Sequence, residues 1–302
     1  NRLFDLFQRY KMREYVAKLG VHSIDEMCGR TDLLKLKDKQ GFKRAALVDL
    51  SRIIEWRDDG YWRTPEGDIG SFDFQLKKTV DEHILLPAFE KLNQPLQGAV
   101  AQKLNVLNSL LPVQSTNRTV GTILGSEIQK KFGNSLADDT FTINCIGGGG
   151  QSFGAFIPKG LTLRLTGDAN DYLGKGLSGG KIVVTTPKAF EGEADKNIII
   201  GNVALFGATS GKAFINGVAG ERFCVRNSGA TVVAEGCGDH GLEYMTGGTA
   251  VILGKTGKNL CAGMSGGIAY ILDEKHDLYK RLNTELVTMY NLDAETTVCK
   301  ED

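Results

Sequence analysis

The sequence predicts a mainly β protein: a right-handed parallel β-helix with turns of about 19 residues, preceded by an α-helical and irregular segment. Of the 38 glycines, 28 lie between Gly147 and Gly267, and short runs of β-branched residues recur there, each opened by a glycine. All but one of the intervals between successive opening glycines are about 19 residues. A near-constant period with one β-type run per unit is the signature of a solenoid, because units this short cannot hold pairs of helices.

The repeat contains one irregular unit and one recurring corner. The single long interval contains a charged insertion, Pro187 to Asn197, without which the period is nearly constant throughout. Each run follows a motif of small residues, such as LSGG ending at Gly180. We expect glycine at these corners because the backbone must adopt positive φ and approach the neighbouring turn without a Cβ. The opening glycines are Gly160, Gly180, Gly211, Gly229, Gly248 and Gly267.

Alternate positions of the runs predict the two faces of one wall. Positions two and four after the opening glycine are predicted to face the interior. The position between them is apolar at every turn, which predicts an apolar stripe outside the coil that another domain covers. The predicted interior residues are Thr162, Ile182, Ala213, Thr231, Ala250 and Ala269 with Arg164, Val184, Ile215, Val233, Ile252 and Ile271, and the outer ones are Leu163, Val183, Phe214, Val232, Val251 and Tyr270.

The part of the chain that precedes the repeat has helical spacing of apolar residues and no constellation of catalytic side chains. Ser23 and Glu26 match a capping box for a short helix that Gly29 ends, and Pro87 predicts a kink in a longer helix. The other predicted elements are helices at Asn1–Leu19, Phe74–Leu92, Leu96–Leu111 and Val120–Gly133, an irregular linker around Trp56 and Trp62, and a strand at Thr140–Ile146.

Composition and charge exclude several classes of function. The 36 basic and 36 acidic side chains balance, which argues against nucleic acid or an anionic membrane surface as the main partner. No apolar run approaches the roughly 20 residues that cross a bilayer, and residues 1–20 lack the pattern of a secretory signal. We therefore expect a cytoplasmic protein, or a plastid one if the source is a photosynthetic eukaryote. The six cysteines are scattered without a C-x-x-C pair, which predicts reduced, mostly buried thiols.

Two groups of side chains are candidates for sites. Asp239, His240 and Glu243 could form half of a metal site, but the sequence supplies no second half, so a turn is the favoured interpretation. Asp168 and Asp171 would be the candidate acids of a polysaccharide-acting β-helix, although they lie at a glycine-rich corner without a basic partner. The sequence thus predicts no catalytic, cofactor-binding or metal-binding residue.

Near matches to nucleotide-binding motifs leave one alternative function open. G-x-G-x-x-G occurs at Gly174–Gly179 and Gly236–Gly241, and Gly247–Gly257 has one residue too many for a P-loop. A dinucleotide site requires a strand before the motif and a helix that opens at its third glycine, whereas another β unit follows each match here. The alternative function is a nucleotide-binding module that uses the two G-x-G-x-x-G turns.

Long motifs across the chain resemble one known family. They are GQSFGAF (150–156), GDANDYLGKGLSGG (167–180), IGNVALFGATSG (200–211), GVAGERF (217–223), RNSGA (226–230), GDHG (238–241), YMTGG (244–248) and AGMSGGIAY (262–270), with LGV, DEM and GRTDLL between 19 and 34 and NRTVG (117–121) upstream. These motifs are similar to the carboxy-terminal glycine-repeat (GXGXG) domain of the glutamate synthase large (alpha) subunit. The resemblance runs from about residue 13 to about residue 288.

The resemblance implies a domain organisation. Residues 1–115 would be a helical and irregular linker, the tail of a preceding flavin barrel, residues 116–290 the glycine-repeat β-helix, and residues 291–302 a tail. Glutamate synthases combine an amidotransferase domain that has an amino-terminal cysteine, an FMN barrel and an iron–sulfur cluster. This chain begins at Asn1 and has neither eight barrel units nor cluster cysteine spacing. It therefore resembles only the glycine-repeat domain, to which the family assigns no catalytic residues.

The expected function is that of a non-catalytic structural domain of glutamate synthase, inactive alone. It is expected to pack against and position the amidotransferase and FMN synthase domains for glutamate formation from glutamine and 2-oxoglutarate. The resemblance implies FMN and an iron–sulfur cluster in the parent enzyme and no cofactor in this chain. The expected partners are those two domains, with an NAD(P)H-oxidising subunit or ferredoxin as the electron source, and neither nucleic acid nor a membrane.

Overall fold

The computed structural model describes residues 11–27, 29–36, 47–55, 73–92 and 103–292. The predicted linker around Trp56 and Trp62 lies outside the described residues. The chain divides into two compact units, Asn1–Phe74 and Gln75–Asp302, and each is described by itself. No helix among the described residues combines the length and the apolar character that crossing a membrane requires.

Within the described residues of the first unit there are two short α-helices. Helix α1 covers residues 11–18, inside the predicted Asn1–Leu19 helix. Its exposed face carries an ion pair between Lys18 and Glu14 at 2.7 Å, one helical turn apart. Helix α2, Ser51–Ile54, is a single turn.

The predicted capping box forms in an altered shape. A turn of 3-10 helix spans Asp25–Met27, and the Glu26 N–H donates to Ser23 Oγ at 3.2 Å. The Glu26 carboxylate accepts the N–H of His22 at 2.9 Å, one residue before the position that a regular capping box uses. Gly29 follows the turn with a φ of 79°, and this part of the prediction is confirmed.

The second unit begins with a helical stretch that contains the irregularity predicted at Pro87. A 3-10 turn at Leu76–Lys78 and a π-helical turn at Asp81–Leu85 lead into helix α3, Leu86–Leu92. Pro87 has no N–H to donate to the preceding turn, so the hydrogen-bond pattern changes at this point.

A buried carboxylate caps the next helix. Helix α4, Thr122–Phe132, confirms the helix predicted over Val120–Gly133. Asp81 is 1% exposed and accepts the N–H of Gly121 through Oδ1 at 2.7 Å and that of Leu124 through Oδ2 at 3.0 Å. Burial raises the pKa of the Asp81 carboxyl above its ordinary value, against the opposing effect of these N–H groups.

In the part of the chain that the structure describes, ten parallel strands form one sheet that winds through the solenoid. The order of hydrogen-bonded neighbours is β1-β3-β4-β5-β7-β8-β9-β10, with β2 beside β3 and β6 between β4 and β7. The strands are β1 Leu104–Asn105, β2 Leu111–Val113, β3 Phe141–Gly149, β4 Leu161–Ala169, β5 Ser178–Thr185, β6 Ile198–Ile200, β7 Ser210–Ala219, β8 Ser228–Cys237, β9 Thr246–Ile252 and β10 Gly266–Ile271.

Strand β3 confirms the strand predicted at Thr140–Ile146, whereas the helix predicted over Leu96–Leu111 is wrong where the structure describes it. Residues 104–105 form β1 and Leu111 begins β2, and both strands pair with β3. Leu111 and Val113 are buried on either side of the exposed Pro112, which is the period-two pattern of a strand. Pairing with a strand far downstream in the chain overrides the local helical spacing.

The pairing register confirms the solenoid, which has about seven turns. Thr162 of β4 pairs with Lys181 of β5, and Lys212 of β7 pairs with Thr231 of β8. In both pairs the partners are one predicted period apart along the chain. The predicted period is therefore the length of chain that separates one strand from its neighbour.

The charged insertion interrupts one wall without breaking it. Strand β5 ends at Thr185, and after the predicted insertion, 187–197, strand β6 continues the same wall. Ile200 of β6 pairs with Ala169 of β4 on one side and with Ala219 of β7 on the other. Strands β5 and β6 together therefore fill the place in the wall that the single strand β4 or β7 fills in the neighbouring turns. This accounts for the one long interval in the repeat.

The interior of this wall is lined by two columns of apolar side chains, of which the first five in each are at most 3% exposed. The prediction placed Thr162, Arg164, Thr231 and Val233 in these columns and is wrong by one residue in two turns. In the first of these turns Lys181 pairs with Thr162, so Gly180 is opposite Leu161 rather than opposite Gly160. In the second, a bulge adds one residue to β8. The observed columns are Leu163, Ile182, Ala213, Val232, Ala250 and Ala269, and Leu165, Val184, Ile215, Ala234, Ile252 and Ile271.

The other side of the coil is a turn wall in which every second residue has a left-handed backbone. In six successive turns three alternate residues have φ between 53° and 69°. The middle residue of each three donates its N–H to the preceding turn, as Leu205 does to the Leu173 carbonyl at 2.7 Å. In the first five turns the outer two residues donate to the following turn, as Val203 does to the Glu221 carbonyl at 2.8 Å. These residues are 152, 154 and 156; 172, 174 and 176; 203, 205 and 207; 222, 224 and 226; 240, 242 and 244; 259, 261 and 263.

Glycine serves the corners in the way that the sequence predicts, but not the turn wall. At the corner that opens β7, Gly211 has φ of 102°, and a Cβ there would overlap the carbonyl oxygen of Gly180 in the preceding turn. In the turn wall most left-handed positions carry a side chain instead, for example Cys224 and Leu242. Their conformational cost of about 1–2 kcal/mol each is offset by inter-turn hydrogen bonds and burial.

Candidate interaction surface

The outward face of the β wall carries one column of residues, here called the outer column, in which five successive members are apolar. In the observed register it consists of Arg164, Val183, Phe214, Val233, Val251 and Tyr270. Neighbouring strands lie about 4.8 Å apart, so the five apolar members form a stripe about 20 Å long. The predicted members Leu163 and Val232 are instead fully buried in the interior because of the one-residue offsets.

A network of acids and lysines lies beside the amino-terminal end of the outer column. Lys181 Nζ donates to Asp139 Oδ1 and Oδ2 at 2.8 and 2.7 Å, and the Thr162 hydroxyl donates to Oδ1 at 2.8 Å. Lys212 Nζ reaches Asp138 Oδ2 at 2.8 Å. The segment between α4 and β3 is thereby tied to three successive strands of the wall.

Charge in this network is compensated within the chain. The hydrogen bond from Lys181 lowers the pKa of Asp139, against the opposing effect of burial, and Lys212 does the same for Asp138. This network stabilises the fold and offers no free cation for a ligand at these two lysines. It was not predicted from the sequence, although the two lysines each follow an opening glycine and so stand in one column.

The candidate acids occupy different positions at one corner. Asp171 Oδ1 accepts the N–H of Asn202 in the next turn at 2.8 Å, and Asn202 Oδ1 accepts the N–H of Glu221 one turn further at 2.8 Å. Asp171 is therefore part of a ladder that holds the corners of successive turns together. Asp168 is exposed at the end of β4.

The three side chains of the candidate metal half-site make two separate sets of contacts. His240 Nδ1 and Glu243 Oε1 lie 2.5 Å apart and form a pair on the turn wall. Asp239 Oδ1 instead accepts the N–H of Lys258 in the next turn at 2.8 Å. Among the residues that the structure describes, no group of three or more His, Cys, Asp or Glu side chains is placed to hold a metal ion.

The first G-x-G-x-x-G match lies in the turn wall and leads into a strand, whereas the second begins at the end of a strand and continues into the turn wall. Gly174–Gly179 runs directly into β5, and Gly236–Gly241 spans the end of β8 and the next turn. The Gly176 N–H donates to the Phe206 carbonyl at 2.8 Å and the Gly174 N–H to the Phe153 carbonyl at 2.8 Å. Because these N–H groups are engaged between turns, they do not converge on a phosphate as a helix amino terminus does.

Four cysteines of the solenoid are buried, free thiols. Burial raises the pKa of Cys145 and of Cys237 to about 12 and that of Cys261 to about 11. Burial also raises the pKa of Cys224 well above its ordinary value. Protonated, inaccessible thiols agree with the predicted packing role of these residues.

The comparisons with known proteins define the class of this solenoid. The profile of the GXGXG motif family matches residues 89–300, more than half of the chain. The chain therefore belongs to the GXGXG motif family.

Individual relatives within that class are glutamate synthases. The glutamate synthase (NADPH) large chain of Bacillus subtilis (strain 168) is 46% identical over 298 residues, 97% of this chain and 19% of that protein. The glutamate synthase (NADH) of Schizosaccharomyces pombe is 44% identical over 281 residues, 92% of this chain and 13% of that protein. The chloroplastic ferredoxin-dependent glutamate synthase of Spinacia oleracea is 36% identical over 293 residues, 96% of this chain and 17% of that protein. The chain thus spans less than a fifth of the length of these relatives and matches them beyond the expected limits, 13 to 288.

Proposed function

We propose that this chain is the non-catalytic structural domain of a glutamate synthase, which forms glutamate from glutamine and 2-oxoglutarate. It packs against the amidotransferase and FMN synthase domains and holds them in position. The outer column carries this proposal, because five apolar side chains in a row face away from a core that is already complete. A contiguous apolar stripe of this kind marks an interface, and the similarity to glutamate synthases makes their other domains the partner.

The names of the relatives support a role that does not depend on the electron donor. Enzymes named for NADPH, for NADH and for ferredoxin all contain a segment similar to this chain. A domain that chose the donor would differ among them, whereas a positioning domain serves all three. FMN and the iron–sulfur cluster belong, under this proposal, to the rest of the enzyme, which lies in the cytoplasm or, as the chloroplastic relative suggests for a photosynthetic source, in the plastid.

A charged substitution in the outer column tests the proposal in the full-length enzyme. Phe214→Glu places a carboxylate in the middle of the stripe, where covering it by another domain would desolvate the charge. We expect glutamate formation from glutamine and 2-oxoglutarate to fall by about tenfold or more, and limited proteolysis to release the solenoid more readily.

The insertion supplies a matched control. Phe190 is 38% exposed and Phe214 is 39% exposed, so Phe190→Glu makes the same chemical change at the same exposure but outside the outer column. Phe190→Glu is expected to leave activity and proteolysis unchanged. Wild-type behaviour of Phe214→Glu would refute the packing role, and glutamate formation or flavin absorbance by the purified chain would refute its non-catalytic nature.

A further inference from the structure

The two ends of the sheet are treated differently. The amino-terminal edge is formed by β1 and β2, strands of two and three residues, and β2 contains Pro112. Short strands and proline are the usual devices that prevent an edge from pairing with another chain. The carboxy-terminal edge is β10, six residues long, and the stretch 266–272, GGIAYIL, contains neither a charge nor a proline.

Strand β10 has backbone groups on one side that pair with no other described strand. Among the described residues β10 pairs only with β9. The Leu272 N–H donates to the Ile252 carbonyl, so Leu272 and, by alternation, Tyr270 and Ile268 direct their backbone groups towards β9. The N–H and C=O groups of Ala269 and Ile271 therefore face away from the sheet.

We infer that β10 pairs antiparallel with β10 of a second copy of this chain, about a two-fold axis that passes beside Tyr270. In this register Ala269 lies opposite Ile271 of the second copy and each exchanges its N–H and C=O with the other, which gives four hydrogen bonds. The inference concerns the edge of the sheet, shares only Tyr270 with the outer column, and is tested on the purified chain without the domains that are proposed to cover that column.

The side chains are self-complementary in the same register. Ile268 and Leu272 are 48% and 51% exposed on the outward face. The two-fold axis places Ile268 opposite Leu272 of the second copy and Tyr270 opposite its own equivalent, so every outward cross-strand pair is apolar. An isologous contact of this kind closes as a dimer and leaves no free edge at that end.

Sedimentation velocity of the purified chain tests the inference. Between roughly 1 and 200 µM we expect a reversible monomer–dimer equilibrium, because the contact is small. Ile268→Lys puts a charge opposite Leu272 of the second copy and is expected to weaken dimerisation by about tenfold or more. Ala269→Pro removes two of the four inter-chain hydrogen bonds and no bond to β9, and it should weaken the dimer as well.

Ile198→Lys is the matched control, because it makes the same change at an isoleucine that is 69% exposed on β6, away from the edge. It should dimerise like the wild type, and far-UV circular dichroism confirms the fold of each variant. Hydrogen exchange at the amides of 269 and 271 should slow as concentration rises. The inference would be overturned by a monomer at every concentration or by a dimer that Ile268→Lys does not weaken. It would also be overturned by aggregates larger than dimers, or by protection of both amides in the monomer.

Discussion

At the residue scale, the turn wall is built from a backbone conformation that residues with a Cβ normally avoid. Leu205, Cys224 and Leu242 have φ near 60° and are fully buried, so their packing and inter-turn hydrogen bonds outweigh the strain. Glycine is indispensable only where a second constraint, the close approach of another turn, is added. These two effects can be separated by experiment.

Gly207→Ala and Gly211→Ala form the pair that separates them. Gly207 has φ of 63° and open space where a Cβ would lie, whereas Gly211 has φ of 102° and faces the carbonyl oxygen of Gly180. We expect Gly207→Ala to lower the free energy of unfolding by about 1 kcal/mol, from conformational strain alone. Gly211→Ala should cost about 3 kcal/mol or more, since the turns must also move apart. Urea unfolding measures both, and equal losses would contradict this division.

The pKa of Asp139 predicts a specific pH dependence. Lys181 lowers the folded-state pKa below the ordinary 3.8, so the interaction stabilises the fold above that value and its contribution disappears as the pH falls through the lower, folded-state pKa. Asp139→Asn should therefore cost about 2 kcal/mol at pH 7 and progressively less as the pH falls below 3.8 and through the lower folded-state pKa. Thermal unfolding across this range measures the difference. The exposed Asp168→Asn is the control, and a pH-independent loss in Asp139→Asn would argue against an ion pair.

At the scale of elements, helix α4 depends on a side chain from a different part of the chain. Asp81→Ala leaves the buried N–H groups of Gly121 and Leu124 without their acceptor, and we expect a loss of about 3 kcal/mol in the free energy of unfolding. Asp81→Asn retains one acceptor oxygen and should lose about 1 kcal/mol. Calorimetry measures both variants, with the exposed His83→Ala as control. Identical stability of Asp81→Ala and wild type would show that this cap does not stabilise the helix.

The elements that sequence alone could predict are those specified by local pattern. The period, the insertion and α4 follow from glycine spacing and apolar spacing, which are properties of neighbouring residues. Strands β1 and β2 could not be predicted, because pairing with β3 decides them. The one-residue offsets in the columns come from a bulge and a displaced glycine, which spacing cannot locate. The turn wall was not predicted because residues such as Arg226 and Tyr244 carry no mark of a left-handed backbone.

At the scale of the whole molecule, the insertion lies outside the stack of repeating turns that forms the solenoid. Removing residues 187–197 would join the end of β5 to β6 and give that turn about the same length as its neighbours. We expect the shortened chain to fold, with a change of about 1 kcal/mol or less, since it loses the bond from the Val218 N–H to the Asn197 carbonyl and the contacts that the unburied 3-10 turn Ala194–Lys196 makes with β7 and β8. Far-UV circular dichroism and urea unfolding measure this, and failure to fold would show that the insertion is part of the core.

The acid–lysine network also bears on how a repetitive chain finds its alignment. Strands of neighbouring turns present similar backbone pairing edges. During folding, a strand could therefore pair with the wrong turn. Lys181 and Lys212 are register partners on the neighbouring strands β5 and β7, and the same position on β8 and β9 is occupied by Thr231 and Thr249. Asp138 and Asp139 therefore find two ammonium groups side by side in only one alignment of that column. A chain with shifted pairing would leave both carboxylates without a lysine partner. The network thus marks the native pairing register and distinguishes it from similar incorrect registers.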